Sequence, residues 1–331
     1  MPKKFKMPKK ITRGISAEFA KVFTKSDLYN FFLKNKSELI IGVRNNYLNL
    51  YYNCDSIAKI KYTKGSIVCE IDKYYLDGKH YGSRDKEKYY VINQSQIIKQ
   101  YNDIKTNSDA KATQEKEAQS KLVILNNENP DSNWYCLDVE YVKAFNNQDE
   151  KDKANFNGRF DIIAISKNKP HRVALIELKY GNGAIGGTSG IYKHVNDFIK
   201  FIDKDFFEKH LKQEIIEIIQ SQLNLGISVP FVLPKKEEFL TPEFYFITLN
   251  NNAKKLNGSI PKQTMAGYLF KDYRWGCRRL STKYCVETDF GDITKKNNKF
   301  QATFLFSKAI IENVKITDII DGCYDERIMP E

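Results

Sequence analysis

Three apolar runs decide the fold: WYCLDVEYV at 134–142, RFDIIAIS at 159–166 and RVALIELKY at 172–180. Their apolar residues occupy both alternating faces, which is typical of strands buried on both sides. A polar loop separates the first two runs, and NKP at 168–170 predicts a turn between the last two. The sequence therefore predicts the centre of a sheet.

Helices and further strands follow this centre. The glycine-rich segment GNGAIGGTSG at 181–190 leads into IYKHVNDFIKFI, whose apolar residues repeat at helical spacing. A second helix is predicted at about 205–225, with an apolar stripe that packs on the sheet. EFYFITL at 243–249 and QATFLFSK at 301–308 are typical of two more strands. The glycine run lacks the GxxxxGK[ST] spacing of phosphate-binding loops. It is therefore predicted to be a flexible loop beside the candidate active site on the central strands, rather than a nucleotide-binding loop.

The chain before this centre predicts a smaller, hairpin-rich region. Ser26 marks a helix start, and the Asn-Asn pair at 45–46 and the Lys-Gly pair at 64–65 each lie between strand-like runs. TNSDAKAT at 106–113 offers little to a core and predicts a linker, although a helix could also run from about 110 to 125. The predicted divisions are 1–105, a β-rich region with a basic leader; 110–250, the central α/β core; and 251–331, a basic extension.

The composition predicts a folded, soluble chain. At roughly 150 residues per domain, 331 residues suggest about two domains. Hydrophobic residues make up 41% and charged residues 28%, which excludes disorder throughout. No run of about 18 apolar residues occurs, so neither a membrane span nor a membrane partner is expected. The six cysteines show no CxxC spacing, which favours reduced thiols in the cytoplasm.

The net charge of +12 indicates a polyanionic partner such as nucleic acid, although codon bias toward lysine could also produce it. Residues 251–283 hold eight basic residues and one acid, interleaved with aromatic residues. That pattern suits phosphate contact and base stacking, with a plain solvated surface as the alternative. The candidate nucleic-acid-binding residues are Lys271, Arg274, Trp275, Arg278 and Arg279.

Charged residues interrupt the three central runs. Glu177 and Lys179 are separated by one residue and so point to one face of a strand, and Asp161 lies inside RFDIIAIS. Burying such charges is costly unless they are paired, hydrogen-bonded or bound to a metal. Mg²⁺ or Mn²⁺ accepts carboxylate oxygens, so Asp161 and Glu177 are candidate ligands. Lys179 would lie beside a water bound to the metal. There it would orient that water to attack a phosphodiester and offset the negative charge that builds on the phosphate in the transition state.

The pair Phe160-Asp161, followed by Glu177-x-Lys179 in IELK, resembles the PD-(D/E)xK nuclease signature, with Phe160 in place of the proline. The resemblance covers about residues 110–250. It implies a restriction-endonuclease-like core, a mixed central sheet flanked by helices, and metal-dependent hydrolysis of phosphodiester bonds in DNA. Pairing of two subunits into a homodimer is a further implication, taken from restriction-type members.

The order of elements extends this resemblance. In the family, a helix carrying a glutamate precedes three antiparallel strands, and a second helix leads to a fourth strand. Of the two glutamates in the first predicted helix, Glu117 is preferred over Glu115 as a further metal ligand. Tyr192 and His194 lie where RecB-like members carry a polar residue at the active site.

Other interpretations remain open. The pair Asp138 and Glu140 has no fixed place in the signature: either residue could assist the metal, bind a helix or lie on a semi-exposed strand face. Glu177-x-Lys179 alone could be an ion pair on an edge strand. At the level of function, the alternatives are an inactive nucleic-acid-binding module on a nuclease-like fold and a partner-binding protein whose basicity is compositional.

Overall fold

The computed structural model describes residues 13–82, 88–143, 158–181, 191–250, 276–281, 301–306 and 309–320. In this part of the chain the strands form two sheets, and helices pack against both. The protein therefore belongs to the α/β class, as the sequence predicts. Among the same residues, no helix is long and apolar enough to cross a bilayer.

The first sheet consists of β1 (Leu39–Val43), β2 (Tyr47–Tyr52), β3 (Asp55–Thr63), β4 (Ser66–Asp72) and β5 (Tyr89–Ile92). The strands are antiparallel and lie in chain order, so β1 and β5 are the edges. Asn46 and Gly65 have positive φ in the turns that follow β1 and β3. Both residue types tolerate this backbone conformation, which explains why the two predicted hairpins are confirmed.

Five helices accompany this sheet: α1 (Ala17–Phe23), α2 (Asp27–Lys34), α3 (Tyr74–Asp77), α4 (Gln94–Lys99) and α5 (Tyr101–Lys111). Ser26 caps α2 by accepting a hydrogen bond from the Tyr29 backbone N–H, which confirms the predicted helix start. The predicted linker at 106–113 is wrong, because α5 runs through most of it. Ile104 and Ser108 are buried one turn apart and give this polar segment a packed face.

The second sheet contains β6 (Trp134–Val142), β7 (Arg159–Ser166), β8 (Val173–Tyr180), β9 (Glu243–Leu249), β10 (Gly276–Ser281) and β11 (Gln301–Phe306). Its order is β10-β11-β9-β8-β7-β6. β6, β7 and β8 are successive antiparallel neighbours, whereas β9 runs parallel to β8 and β11 parallel to β9. The five predicted strands are confirmed, and the sheet is mixed.

Helices cover both faces of this second sheet. They are α6 (Gln114–Glu128), α7 (Ile191–Asp203), α8 (Lys212–Asn224) and α9 (Ile316–Ile320), with a π-helical turn (Phe207–Leu211) before α8. Leu122 of α6 shares one buried cluster with Ile176. Phe198 of α7 and Ile215 of α8 share the other cluster with Leu175, and that cluster continues into the first sheet. The two sheets therefore share one apolar core.

A buried ion cluster joins the first sheet to β6. The fully buried carboxylate of Asp138 accepts hydrogen bonds from Arg13 Nη2 at 2.8 Å and Arg44 Nη1 at 2.7 Å. Arg44 also donates to the Val139 carbonyl and the Tyr51 hydroxyl, each at 2.7 Å. Two cations on one carboxylate, with hydrogen bonds on both sides, fix the position of β6 relative to the first sheet.

The outer edge of β6 is capped by side chains. Asn127 both donates to and accepts from the Cys136 backbone, and Gln222 donates to the Leu137 carbonyl. An uncapped edge strand would expose such groups to pairing with another chain. These hydrogen bonds, together with the one from Arg44 to the Val139 carbonyl, satisfy backbone groups of β6. They also hold β6 in place, and β6 leads into the candidate site.

Candidate active site

Asp161 and Glu177 lie side by side on β7 and β8. The register pairs Ile162 with Ile176 and Ile163 with Leu175, which places Asp161 opposite Glu177 one step further along. Asp161 Oδ2 accepts a hydrogen bond from the Leu178 backbone N–H at 2.8 Å, which orients its carboxylate toward β8. Glu177 is only 3% exposed. The two carboxylates thus lie at neighbouring positions on two interior strands of the sheet.

Lys179 completes this pair. Its Nζ lies 2.8 Å from Glu177 Oε1 and 3.1 Å from Glu115 Oε1 at the start of α6. Burial alone would lower the pKa of Lys179, but the negative charges of Glu177, Asp161 and Glu115 outweigh that effect and raise it. The ammonium therefore stays protonated in the neutral range, beside the two carboxylates.

Burial dominates the electrostatics of both acids. It raises the pKa of Asp161 well above its usual range, and the neighbouring charge of Glu177 raises it further. Burial likewise raises the pKa of Glu177 to about 7, against the lowering effect of the Lys179 ammonium. Two neighbouring carboxylates that are shielded from water need a compensating cation if both are to stay ionised.

The donor set of this site fits a hard divalent cation. Mg²⁺ binds proteins through one or two carboxylates and takes its remaining ligands from water and substrate phosphates. Asp161 and Glu177 are two such carboxylates, and burial raises the pKa of each even though the Lys179 ammonium acts to lower it. Within the described ranges, no group of three or more His, Cys, Asp or Glu residues is arranged to hold a metal alone. Waters or substrate oxygens would fill the remaining positions around an ion held by this pair.

The metal-free protein is expected to lose stability as the pH rises from about 4 to about 7. Burial raises the pKa of Glu177 to about 7 in the folded state, whereas the unfolded chain keeps the ordinary pKa of about 4.3. Between these values the folded state binds more protons than the unfolded state, so the free energy of unfolding falls with increasing pH. Glu177 alone accounts for about 3 kcal/mol of that fall.

Urea unfolding with a chelator present, at about pH 5 and about pH 8, measures this dependence. In the Glu177→Gln variant the fall between the two conditions should shrink, because the titrating group is gone. A fall of unchanged size in that variant would contradict the assignment of the buried charge to Glu177.

Glu115, rather than Glu117, reaches the site. The carboxylate of Glu117 lies 3.1 Å from Lys121 Nζ on the exposed side of α6, while Glu115 contacts Lys179. Helical spacing in the sequence indicates this placement of Glu115. Glu115 precedes the buried Ala118 by three residues and so lies on the same face of the helix. Glu117, the glutamate predicted as a further metal ligand, pairs with Lys121 and does not contact Asp161, Glu177 or Lys179 in the described structure.

Exchanging each of these glutamates for glutamine separates their roles. Glu115→Gln should lower the rate of the cleavage that the family resemblance implies about 10- to 100-fold, because Lys179 loses a charged partner that orients it. Glu117→Gln, two residues away in the same helix, should leave the rate unchanged. Single-turnover cleavage rates measure both variants, and equal losses would contradict the placement.

Glu140 lies next to the carboxylate pair. The register pairs Val139 with Ile162 and Tyr141 with Phe160, so Glu140 stands opposite Asp161. Its backbone has φ of 50°, in the left-handed region, shortly after the register shift in β6. Burial raises its pKa, while the charges of Lys116 and Arg159 lower it. The structure thus places Glu140 beside the site.

Asp138, the other candidate in this strand, is engaged elsewhere. Its carboxylate binds Arg13 and Arg44 in the buried ion cluster described above. Those two guanidinium groups take up both carboxylate oxygens. Asp138 is therefore part of the joint between the sheets. This buried role is not among those that the sequence left open, which were assisting the metal, binding a helix or lying on a semi-exposed strand face.

His194 comes to the site from α7. Its Nε2 lies 3.0 Å from Glu177 Oε1, the same oxygen that accepts from Lys179. Its ring packs near Phe246 of β9, with the ring centroids 6.1 Å apart. Tyr192 belongs to the first turn of the same helix, and its side chain lies outside what the structure describes. The predicted glycine-rich loop at 182–190 also lies outside the described residues.

The first sheet also reaches the site, which the sequence did not indicate. Asp55, at the start of β3, accepts a hydrogen bond from Lys116 Nζ at 2.7 Å. The charge of Lys116 acts in turn on Glu140. In the preceding turn, burial and the charges of Glu140 and Asp161 raise the pKa of the Cys54 thiol. Only tertiary contact brings these residues together, so no local pattern could have revealed them.

The predicted basic surface is described only in part. Arg278 and Arg279 belong to β10, where the backbone alone is described. Lys271, Arg274 and Trp275 lie outside the described residues. Their assignment to nucleic-acid binding therefore stays a prediction.

Comparison with protein-family models, with curated proteins and with solved structures finds no match to this chain. The interpretation of the site therefore depends on the chain's own residues. These are the carboxylates of Asp161 and Glu177, the ammonium of Lys179, and the groups that hold them together.

Proposed function

We propose that this protein is a metal-dependent nuclease that hydrolyses phosphodiester bonds, with DNA as its substrate. The observation that carries the proposal is the convergence of Asp161, Glu177 and Lys179 on the neighbouring interior strands β7 and β8. The element order α6-β6-β7-β8-α7-α8-β9, with three antiparallel strands and a fourth parallel to the third, supports a restriction-endonuclease-like core.

Each residue has a distinct role in this proposal. Asp161 and Glu177 would hold Mg²⁺ or Mn²⁺, which when bound acts as a Lewis acid and lowers the pKa of bound water. Lys179 keeps its proton and places a positive charge where negative charge builds on the phosphate in the transition state. Glu115 and Glu177 hold the lysine in place, and His194 contacts the same glutamate oxygen.

The enclosure of the site adds to the effect of these charges. Glu177 is buried and the side chain of Lys179 is only 12% exposed, so water screens their charges weakly. A charge fixed in such surroundings acts on a reacting phosphate more strongly than one in bulk water. The buried ion cluster around Asp138 holds β6 and so preserves this enclosure.

A cleavage assay on the full chain tests the proposal. Plasmid and oligonucleotide DNA should be cut when Mg²⁺ or Mn²⁺ is added, and cutting should stop when a chelator in excess follows. Activity that persists after chelation would contradict metal dependence. Salt-dependent DNA binding without any cutting would instead support the inactive binding module.

The setting of this activity is part of the same proposal. The buried, free thiols of Cys54, Cys69 and Cys136 support a reducing compartment such as the cytoplasm. A homodimer that cuts two strands stays a prediction from the family resemblance. Sedimentation of the purified chain measures its oligomeric state.

A further inference from the structure

Lysines and aromatic rings alternate along one side of the first sheet. The described members are Lys73, His80, Tyr81, Lys88, Tyr89 and Lys111, here called the lysine–tyrosine strip. They come from α3, β5, α5 and the residues next to them, which are separate in sequence but adjacent in the fold. None of these residues takes part in the site proposed above.

Direct contacts connect the members of the strip. The Lys111 ammonium lies 5.4 Å from the centroid of the Tyr74 ring, and His80 stacks on that ring at 4.7 Å. Lys73 lies 5.5 Å from the ring of Tyr81, and its backbone N–H donates to the Lys88 carbonyl at 2.9 Å. Lys88 in turn lies 5.5 Å from the ring of Tyr89. The strip is thus continuous from α5 to β5.

The outer end of the strip is open to solvent. Tyr89 is 64% exposed and lies on β5, an edge strand of the sheet. Exposing large aromatic side chains in water is unfavourable unless a partner covers them. A flat ring beside an ammonium group suits the face of an unpaired base next to its phosphate.

The inner end of the strip adjoins the proposed active site. Lys111 Nζ donates to the Tyr75 hydroxyl at 3.1 Å, and Tyr75 is hydrogen-bonded to Asp55. Asp55 pairs with Lys116, whose charge acts on Glu140 beside the carboxylate pair. Through these contacts the inner end of the strip connects to residues beside the carboxylate pair.

The charge of this surface favours a polyanion. The three lysines of the strip, Lys73, Lys88 and Lys111, stand against two neighbouring aspartates, Asp72 and Asp77, which leaves a net +1. Asp72 lies 3.6 Å from Lys88, and Asp77 accepts a hydrogen bond from the Tyr81 hydroxyl. The acids thus hold members of the strip in place, and the excess charge is positive.

We propose that the lysine–tyrosine strip binds a single-stranded segment of nucleic acid that flanks the phosphodiester in the active site. This inference rests on the proposed function and narrows its substrate to nucleic acid with an unpaired stretch. Bases in a duplex are stacked on each other, so exposed rings such as Tyr89 can stack only on unpaired ones. The lysines contact the phosphates between those bases.

The test measures binding of the full chain to end-labelled oligonucleotides by fluorescence anisotropy, with a chelator present so that nothing is cut. The probes are a single DNA strand, the same sequence as RNA, and a blunt DNA duplex. Tyr89→Ala should weaken binding of the single strands about tenfold and leave duplex binding unchanged. Lys88→Ala should make the affinity for single strands less dependent on salt: the slope of log affinity against log salt should become about 0.7 less negative, because one phosphate contact is lost.

Val91→Ala is the matched control, because Val91 lies on the same strand and the same face as Tyr89 and is equally exposed, at 64%. Equal affinities of Tyr89→Ala and Val91→Ala for single strands would overturn the inference, as would equal losses on single strands and duplex. Cleavage by the wild-type protein is measured separately. An inactive wild type with intact strip binding would overturn the proposed function alone.

Discussion

Asp161→Ala is expected to abolish metal-dependent cleavage, with a loss of at least about a thousandfold in rate. Asp161 supplies one of only two carboxylates in the proposed metal site, and its hydrogen bond to the Leu178 backbone orients it toward Glu177. Lys179→Ala should cause a loss of similar size, because the protonated ammonium beside Glu177 disappears. Single-turnover cleavage of labelled DNA measures both rates.

Binding of DNA should survive both substitutions, since neither residue belongs to the lysine–tyrosine strip. Circular dichroism and a binding measurement with a chelator present establish that the variants remain folded and bind. Glu117→Gln provides a control on the exposed face of a neighbouring helix. Undiminished cutting by Asp161→Ala and Lys179→Ala would refute the assignment of the site.

Asp138→Ala is expected to cause a large loss of stability, about 3–5 kcal/mol in the free energy of unfolding. The substitution leaves the guanidinium groups of Arg13 and Arg44 buried without the carboxylate that they share. It also removes the acceptor for the Val139 backbone N–H. Urea unfolding followed by circular dichroism measures the difference.

Asp103→Ala, at an exposed aspartate of α5, is the control and should change stability by less than about 0.5 kcal/mol. Asp138→Asn should fall between the two, because the amide keeps hydrogen-bonding capacity but loses the charge. If Asp138→Ala matched the control, the buried ion cluster would not be what joins the first sheet to β6.

The central strands and the three key residues could be predicted from the sequence because both depend on local patterns. Apolar residues on alternating faces define β6, β7 and β8, and a charge at Asp161 or Glu177 stands out against them. Period-two geometry then places Glu177 and Lys179 on the same face. The contact between Lys179 and Glu177 agrees with that expectation.

Features that depend on tertiary contact could not be predicted in this way. The polar segment at 106–113 forms a helix because Ile104 and Ser108 pack on neighbouring structure. Asp138 is drawn into the joint between the sheets by Arg13 and Arg44, which lie about a hundred residues away in the chain. Composition and spacing carry no information about such distant partners.

Titration of Mn²⁺ into the metal-free protein, followed by calorimetry, tests the central claim most directly. The wild-type protein should bind the ion, and binding should release protons near neutral pH, because Glu177 has a pKa of about 7 before the metal arrives. Asp161→Asn should show no such binding, since half of the carboxylate pair is gone. Equal heats of binding in the wild type and Asp161→Asn would contradict the claim that Asp161 and Glu177 form a metal site.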